Sequence, residues 1–234
     1  MRRLVVPEIL DGLDAGDPRA VRSREDLGRI NWLMGQSRIM AGLLDRHLPR
    51  RDRPRLVEIG SGDGRAALRL ARRLGPRLPG AHLTLLDVAP ATRPGVLDGI
   101  RAAGWTAEVV TADAFSWLAP PGPRADAVLA NLLLHHFEAP ALARLLSLVA
   151  ARAGLIAATE PRRDRLSYAG ARLTGLIGAN DVTRHDAPAS VRAGFAGAEF
   201  SALWRAAGGG PVLEERRRLP FTHAFAALGR ERHL

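Results

Sequence analysis

Apolar residues recur at helical intervals over residues 20–48, first Leu27, Ile30, Leu33 and Met34, then Ile39, Leu43, Leu44 and Leu48. Gly35 divides this stretch into two helices and Pro49 ends it. After the polar run RRDRP at 50–54 the period changes. Short apolar runs at Leu56–Gly60, His82–Val88, Thr106–Thr111, Asp126–Leu132 and Leu155–Thr159 read as strands. Between them, Arg65–Leu74, Pro94–Ala103 and Pro140–Ala151 read as helices, and Pro120–Pro123 as a loop. Strands alternating with helices imply βαβ units, and unbroken apolar runs are the mark of parallel strands buried on both faces.

The rhythm breaks over residues 161–197, which begin with PRRDR and continue through small residues to RHDAPASVRAGF. Asp186 is expected to cap a helix starting near Pro188. A helix near 198–207, a GGGP turn at 208–211 and a closing hairpin (VLEERR, THAFAAL) follow. The expected organisation is a helical segment over residues 1–54 that covers the site and a main domain over 55–234, in which 161–197 acts as a substrate cap.

Composition narrows the chemistry. The 234 residues suit one α/β domain with additions, and 47% hydrophobic content supports a full core. There is no cysteine, which excludes disulfides, thiolate metal sites and cysteine nucleophiles and fits a reducing, cytoplasmic location. Pro7 and Glu8 interrupt the apolar start, so no signal peptide is read there, and no apolar run is long enough to span a membrane. Net charge is +10, and all 34 basic residues are arginine. An all-arginine, alanine-rich chain reads as the codon bias of a GC-rich genome; a polyanion partner such as RNA is the alternative. Nothing in the pattern specifies an oligomeric state.

Three motifs carry the chemistry. Val57-Glu58-Ile59-Gly60-Ser61-Gly62-Asp63-Gly64 runs from a strand through alternate glycines into a helix, so backbone can approach a ligand beside free helix N–H groups. Asp87 ends the next strand, where a carboxylate with two acceptor oxygens suits the vicinal hydroxyls of a ribose. Asp113 with Ala114 follows the third strand, placed to accept from an exocyclic amine such as that of adenine.

Taken together, these motifs resemble the class I S-adenosylmethionine-dependent methyltransferases. EIGSGDG is similar to the family's first motif, LLDV to its second, TADAF to its third, DAVLANLLLHH to its fourth-strand motif and AGLIAATEP to its fifth-strand region. The resemblance spans about residues 55–160. It implies a Rossmann-like α/β fold: a seven-stranded, mostly parallel sheet with an antiparallel last strand, and helices on both faces. N-terminal helices and a helical insertion after the fifth strand complete it. The implied cofactor is S-adenosylmethionine, contacted by Glu58, Gly60, Ser61, Gly62, Gly64, Asp87, Val88, Asp113, Ala114, Asn131 and Leu132. Arg38, on the N-terminal helices, is a candidate for the cofactor carboxylate. The flanks RINWLMGQSRIM and NDVTRHDAPASVRAGF are similar to a bacterial group of small-molecule methyltransferases, some associated with aromatic polyketide pathways. A nicotinamide enzyme is the rival, but its GxGxxG spacing is absent here.

The acceptor is less constrained. Asn131-Leu132-Leu133-Leu134 stands where family members that methylate amide or adenine nitrogen carry a proline pair and an aromatic, and a chain without cysteine cannot form the covalent thiolate adduct of cytosine C5 chemistry. His135, His136 and His185 are the candidate bases for a hydroxyl, His185 with Asp186 beside it. His223 reads as core or hairpin surface, Glu160 and Arg162–Arg163 as rim positions, and Trp32 as a candidate wall of the acceptor pocket. The leading expectation is O-methylation of a hydroxylated aromatic or polyketide-like small molecule, with no metal. The alternatives are an RNA methyltransferase, carbon methylation of an activated ring, and an accessory protein that binds cofactor without turnover.

Overall fold

The computed structural model describes residues 1–14, 16–119 and 124–230, so the Pro120–Pro123 loop lies outside the described residues. The chain opens with a strap that ends in a short 3-10 turn at Leu10–Gly12. Helices α1 (Pro18–Leu33) and α2 (Gln36–His47) follow, divided at Gly35, whose left-handed backbone (φ 66°) lets the chain change direction. Then come β1 (Arg55–Ile59), α3 (Arg65–Leu74), β2 (His82–Asp87), α4 (Val96–Ala102), β3 (Thr106–Thr111), α5 (Ala114–Leu118), β4 (Ala125–Asn131) and α6 (Ala139–Arg152). β5 (Ala153–Pro161) leads into α7 (Arg165–Arg172) and α8 (Asp181–Ala193). α9 (Glu199–Ala206), β6 (Val212–Arg218) and β7 (Thr222–Leu228) complete the order.

The seven strands form one sheet in the order β3-β2-β1-β4-β5-β7-β6. β1 to β5 run parallel, and β7 pairs antiparallel with both β5 and β6. Because side chains alternate across a strand, β1 sends Leu56 to one face and Val57 and Ile59 to the other. The first face packs against α2, α3 and α4, the second against α5, α6 and α9. On the second face Phe200 stacks on Phe225 with centroids 4.1 Å apart, beside the buried Trp204. The strand order reverses between β1 and β4, and in open α/β sheets that reversal opens a crevice at the carboxyl ends of the strands. α1, α7 and α8 pack together there, with α8 resting on both of its neighbours.

The expected cap at Asp186 is not what forms. α8 starts earlier, at Asp181, where the side chain of Asn180 accepts from the Thr183 N–H. Pro188 lies inside the helix, so the Arg184 carbonyl has no amide four residues on to receive. Asp186 is buried instead and accepts the backbone N–H groups of Ile9 (2.9 Å) and Leu10 (3.0 Å), pinning the strap to the insertion. Arg3 adds to that anchorage by donating to the carbonyls of Ala193 (2.8 Å) and Phe137 (2.9 Å).

Candidate functional site

A cavity of about 920 Å³ lies over the crevice between β1 and β4. One wall is the glycine loop. Gly60 and Gly62 have φ of 68° and 54°, a region that other residues enter at a cost. A Cβ on Gly60 would come within 2.7 Å of Leu133, whereas one on Gly62 would meet nothing within 4 Å and would project into open space. Asp87 holds the loop, accepting the N–H of Gly62 (2.8 Å) on one oxygen and that of Ala89 (2.9 Å) on the other. Val88, beside it, is a lining side chain left 66% exposed, an apolar surface available to a flat ligand.

Glu58 faces the cavity from the interior of β1. It is buried, and its Oε2 has no hydrogen-bond partner among the described residues. Burial, reinforced by the nearby negative charges of Asp63 and Asp87 and opposed by Arg69, pushes its pKa up to about 8. An unpartnered acid at that depth is suited to a cationic group of a ligand.

The other wall is built on Glu160, which β5 carries fully buried. Its Oε1 accepts the N–H groups of Leu133 (3.1 Å) and Leu134 (2.9 Å); its Oε2 accepts from His135 Nδ1 at 2.7 Å. Those bonds fix the turn after β4, a 3-10 segment at Leu134–His136. Glu8 of the strap lies on the far side of the ring, its Oε1 3.8 Å from His135 Nε2. Burial opposes charge on His135, but the Glu160 hydrogen bond and the Glu8 carboxylate prevail and raise its pKa to about 9. His136 sits beside it with ring centroids 4.2 Å apart, and Asp11 Oδ2 lies 3.4 Å from His136 Nδ1. That contact holds the Asp11 carboxyl below its ordinary range. Apolar side chains complete the wall: Leu10 and Leu13 of the strap, Leu27, Ile30 and Met34 around α1, Leu173, Leu176 and Ile177 after α7, and Phe221.

Of the residues singled out in the sequence, Glu58, Gly60, Ser61, Gly62, Asp87, Val88, Asn131, Leu132, His135 and His136 meet around this cavity. Asn131 accepts from the Thr159 hydroxyl at 2.8 Å, and Leu132 takes φ 55° to turn the chain out of β4. Gly64 stands behind the loop as the N-cap of α3. Asp113 and Ala114 lie outside the lining; Asp113 caps α5, accepting the Ser116 N–H at 3.1 Å. Arg38 points into solvent from α2, while Arg24, Arg65 and Arg69 line the cavity in its place. His185 does pair with Asp186 (2.9 Å), but it lies on the exposed side of α8 and away from the cavity. His223 is buried against Glu215 at 2.8 Å. Trp32 is 66% exposed and not part of the wall. Arg162 and Arg163 are buried rather than solvated, paired with Asp164 and Glu199. Glu8 and Asp11 escaped the sequence reading because an acid in a non-periodic segment gives no signal of where it will fold.

Residues 56–153 match the family model described as a methyltransferase domain. No curated protein matches the chain in sequence. Among solved structures it is similar to an O-methyltransferase family protein from Burkholderia thailandensis (TM-score 0.59, 19% identity), over 93% of this chain but 62% of that one. It is also similar to the plantazolicin methyltransferase BpumL in complex with SAH (TM-score 0.61, 14% identity, 92% of both chains). A third is the magnesium protoporphyrin IX methyltransferase from Synechocystis with bound SAM (TM-score 0.53, 14% identity, 94% of this chain and 88% of that one). Residues 56–153 are thus similar to a methyltransferase domain, and the sheet order β3-β2-β1-β4-β5-β7-β6 with its β1–β4 crevice is the fold that the chain shares with these solved structures.

Proposed function

We propose that the protein transfers the methyl group of S-adenosylmethionine to a hydroxyl of a largely apolar small molecule, an aromatic or polyketide-like acceptor. The observation that carries this reading is one cavity with two unlike walls. The Glu58–Gly62–Asp87–Val88 wall fits an adenosyl amino acid: a carboxylate pair of acceptors for a ribose, an apolar surface for a base, a buried acid for an ammonium, and a glycine whose Cβ would fill the space. The opposite wall is mostly apolar and carries one charged cluster, Glu8, Asp11, His135 and His136, with Asn31, Ser167, Thr174 and Ser190 as its other polar residues. A volume of about 920 Å³ lies near the top of the range for small-molecule sites and accommodates cofactor and acceptor together.

When bound, the cofactor supplies a methyl carbon already activated by a positively charged sulfur. The work left to the protein is alignment and proton removal. The strap, α1 and the segment after α7 surround the acceptor with apolar side chains. His136, oriented by Asp11, accepts the hydroxyl proton. Glu58, Gly62, Asp87 and Val88 would hold the cofactor, which would supply the methyl carbon to the acceptor oxygen and keep the electron pair of the broken carbon–sulfur bond on its sulfur. His135, held charged between Glu160 and Glu8, serves as a fixed donor at the same edge rather than as a base. Enclosure by apolar side chains favours a small acceptor over a nucleic acid strand.

The test is radiolabelled methyl transfer to a panel of phenols and apolar amines, with His136→Gln as the variant. The expected result is transfer to phenols and a loss of roughly 10²–10⁴-fold in kcat, with affinity for S-adenosylhomocysteine within about threefold of wild type. Transfer confined to amines, or full turnover by the variant, would refute it.

A further inference from the structure

We propose that Glu8, His135 and His136 form a binding site for one first-row divalent metal ion at the acceptor end of the cavity. The binding stands on the geometry alone; its role in catalysis rests on the reading of this cavity given above. The three residues present one carboxylate oxygen and two ring nitrogens, all within 4.8 Å of one another. A tetrahedral ion holding its ligands at about 2.1 Å spaces them about 3.4 Å apart, so side-chain rotations that close the widest pair by at most about 1.4 Å complete the set. His135 Nε2 and Glu8 Oε1, 3.8 Å apart, are too distant for a hydrogen bond and close to the spacing of two ligands on a common ion.

The surroundings are those a metal-binding histidine needs. Its Nδ1–H donates to the fully buried Glu160, and Glu160 is itself held by the N–H groups of Leu133 and Leu134. That bond leaves Nε2 as the ligating nitrogen and fixes the plane of the ring, the outer carboxylate that metal-binding histidines characteristically carry. Asp11 stands 3.4 Å from His136 Nδ1 and either orients that ring or adds a second oxygen. Two imidazoles and a carboxylate suit zinc, manganese, iron(II) or cobalt; magnesium and calcium prefer oxygen alone. All three residues line the cavity, so an open coordination position would face the acceptor. A cation there would lower the pKa of a hydroxyl bound to it and would tie the strap to the turn after β4. His136 would then be a ligand and not the proton acceptor.

The experiment uses the full chain, stripped with a chelator and dialysed, without cofactor or acceptor. Calorimetric titration with Zn²⁺, elemental analysis after gel filtration, and the visible absorption of Co²⁺ read the site directly. We expect one ion retained per chain, a Co²⁺ spectrum, and affinity reduced by at least about tenfold in both Glu8→Gln and His136→Gln. Binding of S-adenosylhomocysteine, measured in parallel, confirms that each variant is folded. Wild type that binds S-adenosylhomocysteine yet retains no more Zn²⁺ or Co²⁺ than the variants overturns the site and leaves His135 as an imidazolium bridging Glu160 and Glu8. Because the metal is read without turnover, failed transfer to phenols would leave the site standing, and failed metal binding would leave His136 as the base.

Discussion

Glu58 gives the most quantitative handle on the cofactor wall. In the free protein its carboxyl is held protonated to about pH 8 by burial and by Asp63 and Asp87. At pH 7 a group with that pKa is about 90% protonated. A ligand ammonium placed against the unpartnered Oε2 favours the carboxylate, so binding at pH 7 would release about 0.9 proton from Glu58. If ionisation is complete in the bound state, affinity rises by roughly 90-fold from pH 6 to pH 9 from this group alone. The assay is calorimetric titration with S-adenosylhomocysteine in buffers of different ionisation enthalpy, on wild type and Glu58→Gln. The amino group of the ligand also titrates in this range, so the difference between the two proteins isolates Glu58. Stability supplies an independent check. A carboxyl with a raised folded pKa costs stability as pH climbs from its unfolded value towards 8, so Glu58→Gln should raise the Tm of the free protein at pH 9. The gain, on the order of several kcal/mol, should vanish near pH 4. Equal proton release by the two proteins would refute the assignment of Glu58 to the ligand's cation.

Gly62→Ala separates backbone from ligand effects: its Cβ meets nothing within 4 Å, so stability should fall by only about 1–2 kcal/mol, from the positive φ. Affinity for S-adenosylhomocysteine should fall much further, and an unchanged affinity would place the ligand elsewhere. Glu214 receives His47, Arg46, Arg216 and Arg218, which together overcome its desolvation and hold it at about pH 2. Its stabilising contribution is present above the ordinary carboxylate range and is lost as pH falls towards 2, so wild type and Glu214→Gln should differ in urea midpoint at pH 6 and converge below pH 2. Asp186→Ala leaves the N–H groups of Ile9 and Leu10 without their acceptor, which should loosen the strap and raise the acceptor KM more than it lowers kcat. Equal effects on both would argue against a strap that encloses the acceptor.

The alternation of strands and helices was legible because buried parallel strands are written as continuous apolar runs, and β3 and α3 have the ends their pattern predicts. The meeting of Glu58, Gly60, Gly62 and Asp87 at one cavity was legible for a related reason: they lie in or just beyond the carboxyl halves of strands whose order the alternation implies. The acceptor wall was not. The sequence RHDAPASVRA carries a good local cap and a proline in the first-turn position, so local rules place a helix start at Asp186. Tertiary packing chose Asn180 instead, because Asp186 is more useful buried against Ile9 and Leu10, a contact that joins residues 176 or more positions apart. Glu8 and Asp11 reach His135 and His136 through the same long-range contact. Arg38 lies outside the cavity lining for a simpler reason: it occupies the solvent face of a helix whose other face packs on β5, β7 and α3.

The most direct test of the account is calorimetric titration of the folded protein with S-adenosylhomocysteine, on wild type and Asp87→Ala. One-to-one binding is expected, weakened by roughly tenfold or more in the variant, since the substitution removes a charged acceptor from both the loop and the ligand. No binding by folded wild type would contradict it.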